Sequence, residues 1–442
     1  MEINLTGDSL FSSTNLARRL DSAITGFLAT GDVNFTNAEF AVPAPSDPVA
    51  AGRGYVTAVR EDRLNELVDL KFNAVSFANN HSGDFGVSGI KHTIEAAQAR
   101  GLAPLGLGNS LDEVHLPNFV DTDHERVGIV AATATRGNIF LASRGGNGVP
   151  PRAGVNPLRW QTSYQVTPEQ FDFLKTIRDQ LGLTKASDTG HTVERWAPDP
   201  DGEFDLGSLY ETAIHIKKGS TTATVTTPNE DDVAELQREI RDAKYRSDFV
   251  IFSLHTHEGI NEDWYADQPA DFIVKTAHAA IDAGADVVVG HGAHFLRGVE
   301  RYQGKVIFYN LGSFLMEFEA GESIIPPEMN EAYGHNEHSL PSVLHSQRAK
   351  ENGEWVGFNA NPVFNDGLMI KLLVNNGKVS FKALPLDLRE QDQRVLNHGV
   401  PVPASEEITK RIFTRLNQVS EPFNTKIEFD QATGDLTITT AD

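Results

Sequence analysis

The stretch from Gly284 to Phe314 reads GADVVVGHGAHFLRGVERYQGKVIFYNLGSF, and its pattern decides the fold class. Asp286 to Gly290 is a short β-branched run between turn signals, as expected of a buried strand. His291 and His294 follow where that strand should end. A second strand is predicted near Val299 to Tyr302, a turn at Gln303-Gly304, and a return strand over Lys305 to Tyr309. Side chains at a strand's carboxyl end leave the sheet for the loop layer, where clefts form. Taken alone, the two histidines read equally well as satisfied core or surface residues. The other segments shift the balance toward a site.

Composition bounds the function classes. The chain has 442 residues, enough for one large or two ordinary domains with a sizeable core. Hydrophobic residues make up 40% and charged residues 22%, as in a soluble globular protein. Lys plus Arg total 38 against 61 Asp plus Glu, giving a net charge of −23. That acidity argues against non-specific binding to nucleic acid or an anionic membrane, but a cleft with a local positive field can still take a small acidic substrate. With no cysteine, disulfides, zinc–thiolate sites and cysteine nucleophiles are excluded. Any metal has to sit on His, Asp, Glu, Asn or water. MEINLTGD opens without a basic or apolar leader segment, and no run of about 18 apolar residues occurs. The expectation is a cytoplasmic protein with no membrane span.

In chain order, Ile3 and Leu5 alternate with polar residues in a first strand that ends at Gly7-Asp8. A helix is predicted over Ser13 to Ile24. A second strand over Gly31 to Glu39 carries Asn37 and Glu39 at its end, and a helix follows from about Glu61 to Leu70. Phe72 to His81 is a strand that stops in Asn79-Asn80-His81, followed by an amphipathic helix with Ile90, Ile94 and Ala97 on one face. Asp84 is expected to cap that helix. Further strands are predicted over Leu102 to Gly108 and Val127 to Thr133. Residues 135–247 are read as an insertion or cap within a single domain spanning 1–442, with helices at Pro168 to Leu181 and Glu230 to Tyr245. Asp248 to Leu254 is another buried strand and ends in His255-Thr-His257-Glu258. A helix over Pro269 to Ala283 leads into the opening stretch. Residues 319–442 complete the fold with strands at Gly367 to Val374 and Val379 to Leu384, a helix from Glu406 to Val419 and a final hairpin. His335, His338 and His345, in the loop before these strands, are read as surface residues unless that loop folds over the cleft. The repeated strand, polar tip and helix indicate a layered α/β fold with a cleft at one edge of the sheet.

Predicted strand ends thus deliver Asp8, Glu39, Asn80-His81, His255 and the pair His291/His294. These donors suit Mn, Fe, Zn or Mg. A carboxylate shared by two such ions holds them about 3.5–4 Å apart, and a separate histidine can protonate a leaving group. His257 and Glu258 are candidates for orienting a ligand or lining the rim. Arg136, Arg152 and Arg297 are candidates for clamping a substrate carboxylate or phosphate.

The motifs ANNHSGDFG, SLHTHEG, GHGAH and YNLGSF, with GD near the start and NAEF after it, resemble those of the CapA (poly-γ-glutamate capsule synthesis) family in the calcineurin-like metallophosphoesterase superfamily. RAGVNPLR at Arg152 to Arg159 resembles a further stretch of that family. The resemblance runs from residue 5 to about 390. It implies a four-layer αββα sandwich with its site at the carboxyl ends of the strands. By position it implies Asp8, Glu39, Asn80, His255, His291 and His294 as metal ligands and His81 as general acid. The chain departs from the pattern at Leu10, where D-x-H has a histidine, and at Gly292, where GHHPH has its middle histidine. The implied function is a metal-dependent hydrolase or transferase acting on an amide, peptide or phosphate ester. Loss of the D-x-H histidine favours an alternative, a metal-free peptide epimerase using Asp8 with His291 or His294 as its acid and base. A third reading is a non-enzymatic accessory protein of capsule synthesis that binds an acidic polymer.

Overall fold

The computed structural model describes residues 1–207, 213–317 and 323–441. The expected start of the C-terminal segment at 319 lies outside the described residues. The chain divides into two compact units. The larger comprises residues 1–159, 230–257 and 276–442, and the smaller residues 160–229 and 258–275.

Two sheets build the larger unit. In the ten-stranded sheet, Glu2–Leu10 is central, parallel to Val33–Ala38 on one side and antiparallel to Asp366–Asn375 on the other. Ala74–Ser76 and Pro104–Leu105 extend the parallel side. Lys378–Asp387 and the hairpin Thr425–Phe429 and Asp435–Thr440 extend the antiparallel side. The six-stranded sheet runs Val299–Tyr302, Lys305–Phe308, Val287–Gly292, Phe249–Thr256, Arg126–Thr133 and Asn118–Asp121, with its four central strands parallel. Both sheets follow the β-branched runs of the sequence, which reach full burial only when each face is covered.

Ile3, Leu5, Val33 and Phe35 of the first sheet share one buried cluster with Val127, Ile251, Val287 and Phe308 of the second, so the sheets pack face to face. Each such side chain contributes about 1.5–3 kcal/mol on burial. The outer face of the first sheet is covered by Ser22–Ala29, Leu64–Asp69 and Gly86–Gln98, through Ile24, Leu28, Leu64, Leu67, Ile90 and Ile94. Glu230–Arg246 packs on Arg126–Thr133 and Phe249–Thr256 of the second. The layered α/β sandwich expected from the sequence is the fold of this unit.

Local differences have local causes. In place of one helix over Ser13 to Ile24 there are two, Leu16–Arg19 and Ser22–Ala29. Leu20 is extended between them, and Asp21 accepts a hydrogen bond from Ala23 N as the cap of the second. RAGVNPLR docks the Glu230–Arg246 helix: Asn156 Nδ2 donates to Glu239 Oε2 at 2.9 Å, and Arg159 grips Asp232 through Nε at 2.9 Å and Nη2 at 2.6 Å. His345 is buried in the helix Pro341–Ala349, contrary to the surface reading, because that helix turns Leu344 and His345 inward.

The smaller unit has its own four-stranded sheet, ordered Glu203–Leu206, Ile214–Lys218, Trp160–Val166, Ala223–Pro228. Val166, Phe171, Phe204 and Ile216 form its core. The helix Pro168–Gln180 begins with a capping box between Thr167 and Gln170. Leu183–Val193 is a further helix that the sequence pattern did not mark. Among the described residues no helix is long and apolar enough to cross a membrane.

Candidate metal centre

In the larger unit, side chains from the carboxyl ends of strands in both sheets meet. Asp8 stands where Glu2–Leu10 changes register, between Leu5 and Asp8 against one neighbour and between Asp8 and Ser9 against the other. Such irregularities re-aim a side chain. Gly7 is needed there because an added Cβ would lie 2.0 Å from Gly312 O. Asp8 Oδ1 accepts from Asn37 Nδ2 at 2.8 Å, and Oδ2 accepts from Gly292 N at 2.8 Å. Burial outweighs both bonds and pushes the Asp8 pKa up to about 7.

Glu39 directly follows the strand Val33–Ala38. Its carboxylate is fully buried, and neither oxygen has a hydrogen-bond partner. Oε1 faces three imidazoles instead, 3.6 Å from His257 Nε2, 3.6 Å from His294 Nε2 and 3.8 Å from His255 Nε2. These gaps are too long for hydrogen bonds. Burial, then the charges of Asp8 and Asp84, hold the Glu39 pKa well above the carboxylate range.

His255, near the end of Phe249–Thr256, has Nε2 2.8 Å from Asn80 Oδ1 and Nδ1 3.2 Å from Asn37 Nδ2. The amide oxygen on one side and amide nitrogen on the other fit the Nε2–H tautomer. His294 holds a left-handed backbone, φ 62°, a strained state for a non-glycine residue that is common at functional sites. Its Nδ1 lies 3.2 Å from Ser313 Oγ and 3.5 Å from Asp8 Oδ2. Burial depresses the imidazole pKa values: His294 to about 3, and His255 and His257 well below the usual range. The rings are therefore neutral, the form that binds metal.

The donors fit a cation. Asp8, Glu39 and His255 each offer an atom within 4.8 Å of the others, as do Glu39, His257 and His294. Ligands about 2.1 Å from a tetrahedral ion stand about 3.4 Å apart, so the observed gaps close with small adjustments. A buried carboxylate with no hydrogen bond is costly unless a positive charge answers it.

His81 lies beside this cluster. Its Nδ1 is 2.7 Å from Asp84 Oδ2, and its Nε2 is 3.4 Å from Thr57 Oγ1. Asp84 is no helix cap: Phe85 precedes the helix, and the Asp84 carboxylate takes hydrogen bonds from Arg53 and from Thr57 N. Tyr55 packs edge-on against His81, ring centroids 5.9 Å apart. The Asp84 partnership was detectable in the sequence only as an acid three residues after His81.

Other expected site residues are placed elsewhere. His291 is not brought into the cluster. Its Nε2 donates to Thr6 O at 3.0 Å, and its Nδ1 is 3.4 Å from Ser253 Oγ. The strand runs on to Gly292, so His291 remains within the ladder, its ring 5.6 Å from that of Phe35. Arg297 is fully buried and donates to His257 O at 2.9 Å, bracing that turn rather than offering its charge to a ligand. Arg152 is exposed and donates to Leu141 O. Arg136 is half-buried with φ 58°, and burial and the nearby Arg53 charge lower its pKa. Glu258 belongs to the smaller unit, where its carbonyl accepts from Ala270 N.

An α/β sandwich with a carboxylate–imidazole cluster at its strand ends defines the class of this molecule. Residues 3–317 match the family of bacterial capsule synthesis proteins described as PGA_cap, and the chain belongs to that family. It is 29% identical over 431 residues to the uncharacterized protein y4sH of Sinorhizobium fredii, covering 93% of this chain and 87% of that one. It is 24% identical over 282 residues to the PGA biosynthesis protein CapA of Bacillus subtilis, covering 61% of this chain and 51% of that protein. Among solved structures it is similar to a putative 5'-nucleotidase from Staphylococcus aureus, with 9% identity, a TM-score of 0.35, and coverage of 94% of this chain and 59% of that one.

Proposed function

We propose that this capsule-synthesis family member is a metal-dependent hydrolase or transferase, acting on an amide of a glutamate-containing peptide or on a phosphate ester. The carrying observation is the Glu39 carboxylate, buried without a hydrogen bond among neutral imidazoles. Asp8, Glu39, Asn80 and His255 would hold the cation. When bound, it would polarise a carbonyl or phosphoryl oxygen and make water more acidic.

The chain's own residues supply the rest. Asn37 and Gly292 N hold Asp8 and orient it in advance, while the hydrogen bond between His255 Nε2 and Asn80 Oδ1 would give way to the cation. Asp84, fixed by Arg53 and Thr57 N, accepts a hydrogen bond from His81 Nδ1–H and so favours the doubly protonated ring, whose Nε2–H would go to the leaving group. General acids of this kind contribute about 10²–10⁴ in rate. Arg136 is the candidate for an anionic part of the substrate, having a guanidinium already partly desolvated.

The epimerase alternative needs two groups on opposite sides of a Cα. Asp8 Oδ2 and His294 Nδ1 are 3.5 Å apart, and His291 is bonded to Thr6 O, which weighs against either pairing. The test is a panel of phosphate monoesters and diesters and γ-glutamyl amides, run with chelator-stripped protein before and after Mn, Zn or Fe is restored. Metal-restored turnover that is lost in His81→Ala supports the proposal. Turnover indifferent to chelation overturns it.

A further inference from the structure

Leu10 stands where the D-x-H pattern has a histidine. Leu10 is buried and apolar and cannot ligate. Gly292 cannot regain an imidazole while the present arrangement holds. With φ 105°, an added Cβ would lie 3.0 Å from His255 ring atoms and 2.9 Å from Thr256 O. His257, in contrast, follows His255 by two residues at the end of an extended strand, and that spacing returns side chains to the same face.

The structure holds His257 from both sides. Its N donates to Thr135 Oγ1 at 2.9 Å, and its O accepts from Arg297 at 2.9 Å. Arg297 is itself fully buried, 5.4 Å from the centre of the Phe295 ring. The His257 ring stands edge-on to His255 and His294, with centroids 5.2 Å and 5.5 Å away. Its Nε2 and that of His294 are each 3.6 Å from Glu39 Oε1. A rim histidine that only touches substrate would need neither the buried arginine nor this convergence on one carboxylate oxygen.

Building on the metal-dependent reading above, and on the two-ion arrangement with a shared carboxylate that the family resemblance implies, we propose that His257 takes the place of the histidine absent at residue 10, holding a divalent cation together with Glu39 and His294. The two sites would then have different donor sets: carboxylate- and amide-rich on the Asp8 side, imidazole-rich on the His257 side. The second would prefer borderline ions such as Zn over Mg.

The test uses full-length, chelator-stripped protein titrated with Mn, then passed through a desalting column for elemental analysis and electron paramagnetic resonance. Wild type is expected to retain about two equivalents and to show the exchange-coupled signal of a Mn pair. His257→Gln and His257→Ala should each lose about one equivalent and that coupling, while circular dichroism and metal-free melting stay near wild type. Two equivalents retained in either folded variant would overturn the proposal. A single uncoupled equivalent in wild type, unchanged by both variants, would also overturn it while leaving the one-ion reading standing. No bound metal in wild type would overturn both.

Discussion

Asp286 and Glu39 are both carboxylates set at strand ends in the larger unit, yet the chain treats them oppositely. Asp286 stands at the amino end of Val287–Gly292. Its Oδ2 accepts from Lys244 Nζ at 2.8 Å and Val250 N at 2.9 Å, and its Oδ1 accepts from Lys305 Nζ at 2.6 Å. Glu39 stands at a carboxyl end and receives no hydrogen bond on either oxygen. At the amino end the chain balances its own charge, so the acid ties strands and helix together. At the carboxyl end no hydrogen bond answers Glu39, and on the proposed reading a bound cation would supply the balance, as at a binding site rather than a brace.

That contrast breaks most visibly if Glu39 is neutralised. Glu39→Gln should weaken metal binding by more than about 100-fold, beyond the range for residues that only orient a ligand. The metal-free melting temperature should stay near wild type, because burial already disfavours the charged form of Glu39 and the amide is its neutral isostere. Calorimetric titration and thermal melts check both halves. His81→Ala should lower kcat by about 10²–10⁴ with metal content unchanged, separating proton delivery from metal binding. Asp84→Asn keeps the shape but removes the charge opposite His81 Nδ1. It should cost about 10–100-fold in kcat, with KM and metal content near wild type, and steady-state kinetics with elemental analysis would show a shared loss if Asp84 were only a fold residue.

Asp286→Asn should do the reverse of Glu39→Gln. It should destabilise the protein by about 1–2 kcal/mol in urea unfolding, the estimate being reduced for the partly exposed lysines, and leave metal binding and turnover intact.

One further effect lies outside the cluster. Burial, with the Arg348 charge adding, pushes the His345 pKa down to about 4. The fold therefore favours the neutral ring. Its stability contribution is present above the unfolded value near 6.5 and is lost as pH falls from there through about 4, amounting to at most about 3 kcal/mol. His345→Gln should flatten urea-derived stability over that window by the same amount with and without metal. Metal dependence of this slope would contradict the separation of His345 from the centre.

The strand-end residues were legible because buried β-branched runs that stop in Asp, Glu, Asn or His leave those side chains no sheet to occupy. Asp8, Glu39, Asn80, His255 and His294 do converge. His291 does not, since hydrogen bonds to Thr6 O and Ser253 take up its ring and it packs against Phe35. Helix propensity could not foresee that Asp21 would break one predicted helix into two, because capping competes with continuation at that position. Nor could spacing assign Arg297: a buried arginine under a turn and an exposed one above a cleft look the same in sequence, and only the His257 carbonyl distinguishes them. The pairing of His81 with Asp84 depends on a loop turn, where no periodicity guides the reading.

The most direct measurement is metal content. Wild type and Glu39→Gln, purified without chelator or affinity-tag metal, would be challenged with Mn, Fe and Zn and analysed for bound metal after desalting. At least near-stoichiometric metal is expected in wild type and almost none in the variant, with both proteins equally folded. A wild type that retains no metal after every challenge, or a variant that retains as much as wild type, would contradict the metal-dependent reading.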